Sequence, residues 1–412
     1  MLLLTVVTWV DISTTRLVVY KSGGGHNHGS RRPLARLGIC PMSLAPTTNR
    51  IPLSLSRRAF GLRLAAGLSL GSGMTLTGCG TSSTGGGSGS SGSGGAYELL
   101  NVSYDPTREL WKELNAAFTK KYTSDHPGQT ISFRQSHGGS GSQARAVIDG
   151  LEADIATLSL WPDTDAIRKA GLVAEGWEDR LPNRSLPYTS LVVFVVRKGN
   201  PKGIKDWPDL GRDGVDVITP SPKTSGNGRM TLLTAWGYML TQGKSEAEAT
   251  EFLRKFYANV PTLDSGARGA TATFAQKGIG DVHVTMESEA WLEVEESKGE
   301  LEILYPSVTF KHEPHITVVD KVVDRKGTRA VAEEYLKFLY TPEGQAIIGK
   351  HYFRPTDPEA LKAVEAKLKP ASELTLIDIT NVAQDWDDAQ KKFFDDGGVF
   401  DAIYSKDNTA SN

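Results

Sequence analysis

Four short stretches of the sequence place glycine, serine and other small residues where a strand or loop is predicted to enter a helix. The first backbone N–H groups of a helix lack partners within the helix, and the helix dipole is positive there. Glycine lets an anion approach the backbone closely, and serine adds a hydroxyl donor. Each stretch alone is also typical of an ordinary turn, but several facing one cleft would bind an oxyanion without lysine or arginine. The stretches are Tyr104–Thr107, Ser136–Gly141, Thr224–Gly228 and Asp264–Gly269.

The elements around these stretches alternate between strand and helix patterns. Short apolar runs typical of strands are interspersed with apolar residues at helical spacing. Such alternation predicts an α/β fold with parallel sheets, in which ligands bind beyond the carboxyl ends of the strands. We expect Asp105 to cap the first helix, with Pro106 at its first helical position. The apolar runs lie at 99–104, 131–133, 155–160 and 215–219.

The same part of the chain resembles the periplasmic sulfate-binding proteins of bacterial sulfate/thiosulfate ABC importers, from about residue 97 to residue 405. The resemblance implies a two-lobed type II periplasmic-binding-protein fold with mixed, mainly parallel sheets. It also implies a sulfate dianion held in the cleft between the lobes. The stretches that carry it include LLNVSYDPTREL (99–110), RQSHGGSGSQARAVIDGLEADIATLSL (134–160), LPYTSLVVFVVRKGNP (186–201), VITPSPKTSGNGR (217–229) and LDSGARGATATF (263–274).

The resemblance also implies which groups bind the ligand. The donors that it carries over are the backbone N–H groups of Asp105, Ser140, Gly226 and Ala267 and the hydroxyl of Ser225. A site built from donors alone selects sulfate, because phosphate keeps a proton near neutral pH that needs an acceptor.

Two further positions depart from the pattern of the family. Asn227 stands where a glycine is usual, and its backbone N–H survives that change. Met286 stands where the sulfate-specific members have a tryptophan that donates from its indole N–H. Losing one hydrogen bond to a charged ligand costs roughly 1.5–3 kcal/mol unless another group replaces it. We therefore expect a pocket that tolerates thiosulfate.

Two charged or titratable residues lie beside the donors. We expect His137 to donate to nearby carbonyl groups and Arg268 to brace a loop, with direct ligand contact as the alternative for each. An enzyme with Ser225 as nucleophile and His137 as base is the alternative from another class, although no spacing supports that pair. Residues 96–412 contain no P-loop, HExxH or GxSxG motif, and we expect no metal, cofactor or catalytic residue.

The charge of the chain is unevenly distributed along its 412 residues, although the net charge is only −2. Residues 1–78 hold nine of the 46 lysines and arginines but one of the 48 acidic residues. Residues 79–412 thus have 37 basic and 47 acidic residues, a net charge of −10. A basic, acid-poor beginning is typical of an export signal, and an acidic body disfavours nucleic-acid binding.

Two ordered motifs indicate the kind of export signal. Ser56–Leu62 (SRRAFGL) resembles a twin-arginine signal, and Leu76–Cys79 (LTGC) resembles a lipobox whose cysteine is lipidated. Met42 lies at a normal distance before the arginine pair, so residues 1–41 are interpreted as an over-extended gene model. Residues 80–95 are almost entirely glycine and serine, which predicts a flexible tether.

The function predicted is that of a periplasmic or cell-surface lipoprotein, anchored in the membrane, that captures sulfate as a monomer and delivers it to an ABC permease. The alternatives are a binding protein for thiosulfate or molybdate, and a surface lipoprotein that has lost transport. The predicted segments are a signal at 1–78, lipidated Cys79 and tether at 79–95, lobe one at 96–187 and 290–355, lobe two at 188–289, and a C-terminal helical segment at 356–412 that packs on the lobes.

Overall fold

A computed structural model describes residues 95–404, and every structural statement below refers to them. The predicted twin-arginine motif, Cys79 and the tether before residue 95 lie outside the described residues. None of the helices within 95–404 combines the length and the apolar character needed to cross a bilayer.

The described residues form twelve strands and fourteen helices. The strands are β1 Ala96–Tyr104, β2 Thr130–Gly138, β3 Ile155–Thr157, β4 Tyr188–Arg197, β5 Val217–Pro220, β6 Leu263–Asp264, β7 Val282–Met286, β8 Leu301–Leu304, β9 Val308–His312, β10 Ile316–Val318, β11 Arg354–Pro355 and β12 Thr375–Ile377. The helices are α1 Arg108–Asp125, α2 Ser140–Ile148, α3 Trp161–Lys169, α4 Pro182–Ser185, α5 Gly226–Thr241, α6 Glu246–Ala258, α7 Ala267–Thr271, α8 Glu287–Glu296, α9 Asp320–Lys326, α10 Arg329–Phe338, α11 Pro342–Lys350, α12 Pro358–Val364, α13 Trp386–Ala389 and α14 Val399–Ile403.

The first sheet has four strands in the order β10-β3-β1-β2. Strand β1 pairs in parallel with β2 and with β3, and β10 pairs antiparallel with β3. Helices cover both faces of this sheet: Trp111 and Phe118 of α1 pack in the core on one face, and Ala144 and Val147 of α2 pack on the other. Strand β1 is buried along most of its length because it is central and covered on both sides.

The second sheet has the order β12-β9-β4-β7-β5-β6, and both β8 and β11 also pair with β4. Strand β5 pairs in parallel with β6 and with β7, whereas β4 pairs antiparallel with β7, β8, β9 and β11. The prediction of a mixed α/β fold is therefore confirmed. Antiparallel pairing is more extensive than the sequence suggested, because the single long strand β4 collects four antiparallel partners.

The predicted lobe boundaries do not coincide with the division of the strands between the two sheets. Strands β8 and β9, which span residues 301–312, pair within the second sheet. The C-terminal region is helical in part, but its strand β12 extends the second sheet beside β9. The lobe limits given above stay a prediction.

His312 connects the second sheet to the end of a strand in the first. It is fully buried at the end of β9, and its Nε2 lies 2.7 Å from the carbonyl oxygen of Ser159, two residues beyond β3. Burial lowers the pKa of His312 to about 4, and the hydrogen bond to the Ser159 carbonyl only partly opposes this effect.

This histidine should make the protein less stable in mild acid. An unfolded histidine binds a proton as pH falls through about 6.5, whereas folded His312 stays neutral until about pH 4. The unfolded state therefore binds more protons in this interval, and the free energy of unfolding should fall by roughly 1–3 kcal/mol as pH drops from 6.5 to 4. Chemical denaturation across that range measures the slope.

A His312→Gln variant separates this contribution from that of other groups. Glutamine keeps an N–H for the Ser159 carbonyl but does not titrate. The variant should lose stability less steeply with falling pH. A slope identical to that of the wild type would contradict the assignment.

Candidate functional site

The four stretches identified in the sequence meet around one small, partly open cavity. All seven residues that the sequence predicted as ligand-binding line this cavity. Five other residues, named last, line it as well. The lining residues are Asp105, Ser140, Ser225, Gly226, Asn227, Ala267 and Met286, together with Tyr104, Pro106, Gly138, Gly139 and Ser159.

Four helices begin at the cavity. Helix α2 begins at Ser140, α5 at Gly226, α7 at Ala267, and α8 directly after Met286. At three of these starts no side chain caps the helix, and at α5 the Ser225 hydroxyl accepts only a long bond of 3.5 Å from the N–H of Gly228. The unpaired N–H groups and positive dipole ends of several helices therefore surround the same space.

Glycine is required at position 139 because two backbone carbonyl groups, those of Thr224 and Ser265, lie close to it. A Cβ on Gly139 would overlap the carbonyl oxygen of Thr224 and would lie 2.9 Å from that of Ser265. Gly226 is similarly close to Ser159, whose Oγ would lie 2.5 Å from an added Cβ. The absence of these two Cβ atoms allows the helix starts to approach one another.

Asp105 differs from the prediction in one respect. The helical turn begins one residue earlier than expected, so Tyr104 is the N-cap and Asp105 lies inside a 3-10 turn, Asp105–Thr107. The Asp105 carboxylate therefore does not cap backbone N–H groups. Its Oδ1 accepts instead from Nη2 of Arg108 at 2.9 Å.

Ser140 has its hydroxyl occupied by neighbouring groups. Its Oγ donates to Oδ2 of Asp163 at 2.6 Å and accepts from the backbone N–H of Ser159 at 2.9 Å. The other oxygen of Asp163 accepts from Nη1 of Arg229 at 2.6 Å, and both of these charged side chains are buried. Ser140 can therefore offer a ligand only its backbone N–H.

No lysine, arginine or histidine lines the cavity within residues 95–404. The nearby cations are turned toward carboxylates, as the pairs Arg108–Asp105 and Arg229–Asp163 show. An anion in this cavity would meet backbone dipoles and hydroxyl groups rather than a counter-ion.

His137 precedes the lining residue Gly138 but does not itself line the cavity. Its Nδ1 is buried without a hydrogen-bond partner in the described part of the chain, and its carbonyl oxygen accepts from Nη2 of Arg108 at 3.4 Å. Burial, with a smaller contribution from the charge of Arg108, lowers the pKa of His137 to about 4. The imidazole is therefore neutral near pH 7.

Arg268 also lies off the cavity, although it follows the lining residue Ala267. Its Nη1 is 3.5 Å from Oε1 of buried Glu289 on α8, and that oxygen accepts from Oγ1 of Thr271 at 2.6 Å. Burial, and secondarily the nearby Glu293, raise the pKa of Glu289. Arg268 thus joins α7 to α8 behind the site.

Met286 and Asn227 shape the cavity at the two positions that depart from the family pattern. Met286 is 1% exposed and offers no hydrogen-bond donor from its side chain. Asn227 donates from Nδ2 to Oγ1 of Thr285 at 3.4 Å, and its Oδ1 is buried without a partner among the described residues.

Two residues at the cavity, Ser159 and the histidine that contacts it, were not predicted from the sequence. Ser159 follows the carboxyl end of β3, the position where an α/β sheet places ligand contacts, and this signal could have identified it. No local pattern could have identified His312, because it lies 153 residues away along the chain.

Comparisons with known proteins show the family of the chain. A family model described as "Bacterial extracellular solute-binding protein" matches residues 99–354. The thiosulfate-binding protein of Pseudomonas aeruginosa is 52% identical over 75% of this chain and 93% of its own length. The sulfate-binding protein of Escherichia coli is 51% identical over 74% of this chain and 92% of its own length.

A solved structure gives the same result. The sulfate-binding protein SubI from Mycobacterium tuberculosis superimposes with a TM-score of 0.63 and 30% identity, covering 72% of this chain and 99% of that one. These matches confirm the resemblance found in the sequence and the two-lobed type II fold. The enzyme alternative is wrong, because the relatives are solute-binding proteins. The chain belongs to the bacterial extracellular solute-binding proteins, in the group that contains the sulfate- and thiosulfate-binding proteins.

Proposed function

We propose that this chain captures sulfate outside the cytoplasm and delivers it to the permease of an ABC importer. The observation that carries the proposal is the cavity where four helices begin and which no cationic side chain from residues 95–404 lines. Relatives named as sulfate-binding and thiosulfate-binding proteins, each about half identical to this chain, support it.

Donor chemistry favours sulfate over phosphate in such a cavity. Sulfate is fully deprotonated near neutral pH and only accepts hydrogen bonds, which suits the backbone N–H groups of Asp105, Ser140, Gly226, Asn227 and Ala267. Phosphate carries a proton that would face these N–H groups. A mismatched partner in a dry site can discriminate by orders of magnitude.

Thiosulfate is the second candidate, and Met286 favours it. A thioether gives no hydrogen bond, and a terminal sulfur on the ligand needs less from a donor than an oxygen does. A relative named as a thiosulfate-binding protein is 52% identical to this chain. Molybdate remains a third tetrahedral oxyanion to be tested with these two.

The route to the membrane is a further part of the proposal. The arginine pair Arg57–Arg58 would direct export through the twin-arginine pathway, and Cys79 would carry the lipid. The glycine- and serine-rich residues 80–95 would then hold a monomeric binding domain on a tether with a root-mean-square reach of roughly 20–25 Å. Such a reach keeps the domain near its permease.

A Gly139→Ala variant should weaken anion binding. The added Cβ would overlap the Thr224 carbonyl in the arrangement that encloses the cavity, and such overpacking costs about 1–3 kcal/mol. The affinity for sulfate, measured by titration calorimetry beside thiosulfate, molybdate and phosphate, should fall roughly 5- to 150-fold. Wild-type protein should bind sulfate and hardly bind phosphate.

Gly211→Ala is the matched control for this variant. The atoms nearest an added Cβ there belong to side chains, Phe252 and Lys255, at 3.3 Å and beyond. Its sulfate affinity should equal that of the wild type. Equal affinities in all three proteins would mean that Gly139 does not lie at the binding site.

A Met286→Trp variant should shift the preference between the two anions. The indole N–H supplies a donor that favours an oxygen over a sulfur, so the ratio of sulfate to thiosulfate affinity should rise by about tenfold or more. Calorimetry with both anions measures the ratio. Met286→Leu, which changes shape but adds no donor, should leave it nearly unchanged, and an unchanged ratio in Met286→Trp as well would remove this residue from the account of selectivity.

A Cys79→Ala variant should release the protein from membranes. Without the thiol no lipid can be attached, and the chain should move from the membrane fraction to the soluble extracytoplasmic fraction. The control is Ser88→Ala in the predicted tether, which leaves the thiol of Cys79 in place. Retention of Cys79→Ala in the membrane fraction would exclude the lipid anchor.

A further inference from the structure

Ser159 is one of the lining residues to which neither the sequence nor the resemblance assigned a ligand contact. Its side chain is almost fully buried, and it lines the cavity opposite the start of α5, where its Oγ lies against Gly226. Oγ also lies 2.8 Å from Nε2 of His312. Which of these two atoms donates decides what the serine can do for a ligand.

The contact between the ring and the Ser159 backbone settles the direction. Nε2 of His312 is 2.7 Å from the carbonyl oxygen of Ser159, and a carbonyl oxygen can only accept. Nε2 must therefore carry a hydrogen. A nitrogen that carries a hydrogen cannot accept one from the Ser159 hydroxyl, so the ring either donates to Oγ as well or does not bond it.

The state of the ring supports this assignment. His312 is fully buried, its Nδ1 has no partner within the described residues, and its ring packs edge-to-face with the Tyr104 ring at a centroid distance of 5.6 Å. Burial lowers the pKa of His312 to about 4, so near pH 7 the ring holds one hydrogen. That hydrogen is on Nε2, the nitrogen with the acceptors.

The hydroxyl hydrogen of Ser159 thus has no acceptor in the described part of the chain. Ser140, on the same cavity, is different, because its hydroxyl hydrogen goes to Asp163. Of these two adjacent hydroxyl groups, only that of Ser159 has a hydrogen free to enter the cavity.

We propose that the Ser159 hydroxyl is an additional hydrogen-bond donor to the bound oxyanion, positioned by His312. This inference rests on the proposed function. It gives the cavity a side-chain donor in a site where Met286 provides none. Backbone N–H groups cannot be removed by ordinary mutation, so Ser159 also offers direct access to one ligand contact.

The test is calorimetric titration of sulfate into the full chain and its Ser159→Ala variant at pH 7. Loss of one hydrogen bond to a charged ligand should weaken binding by about ten- to a hundredfold. The control is Ser132→Ala on β2, where the hydroxyl is exposed and makes only a long bond to the Tyr97 carbonyl. Thermal unfolding without anion should show both variants folded.

The outcomes separate this inference from the proposed function. If the wild type binds none of the tetrahedral anions, both the proposed function and the role of Ser159 are wrong. If it binds sulfate and folded Ser159→Ala binds it equally well, only the role of Ser159 falls.

His312→Gln gives an independent measurement of the positioning role. The amide N–H can still hold the Ser159 carbonyl, so sulfate affinity should stay within about threefold of the wild type, whereas His312→Leu, which has no donor, should weaken it. Equal affinities of the Leu and Gln variants would overturn the positioning role. If Ser159→Ala is unstable, this pair still decides the question.

Discussion

The unpaired N–H groups of helix first turns are the interaction on which this structure depends. They are fixed in direction by the helices that carry them, and they cannot rotate away from a charge as a side chain can. Both sheets are arranged to bring such turns together, since α2 follows a strand of the first sheet and α5, α7 and α8 follow strands of the second. Glycine at 139 and 226 then allows contact distances that any Cβ would prevent.

The arginine side chains around the cavity are paired with carboxylates and do not line the cavity. Arg108 is held by Asp105, Arg229 by Asp163, and Arg268 lies beside Glu289. This arrangement suits a body with a net charge of −10 that has to hold an anion, because the local field is set by dipoles close to the ligand. Distant charges are separated from it by solvent and salt.

Local signals made much of the cavity lining predictable. Gly226, Ala267 and Ser140 lie in short stretches whose composition marks a helix start, and these stretches could be read without knowing how they meet. Features that depend on exact element boundaries or on contacts distant in the sequence were not predicted. The Asp105 carboxylate needed the exact start of a 3-10 turn, and the four antiparallel partners of β4 come from three separate parts of the chain. Ser159 acquires its role only from His312, across the boundary between the two sheets.

The buried pair of Asp163 and Arg229 joins helix α3 to helix α5, and the same carboxylate holds the hydroxyl of Ser140 at the start of α2. Removing two charges from water costs about as much as their attraction returns, so a pair like this adds little to the strength of an assembly. Its geometry is nevertheless specific, because one oxygen of Asp163 accepts from Arg229 and the other accepts from Ser140. The pair therefore fixes the relative position of the two helices. Only the placement in which the helix starts meet satisfies both oxygens of Asp163, and any other placement leaves a buried charge without its partner.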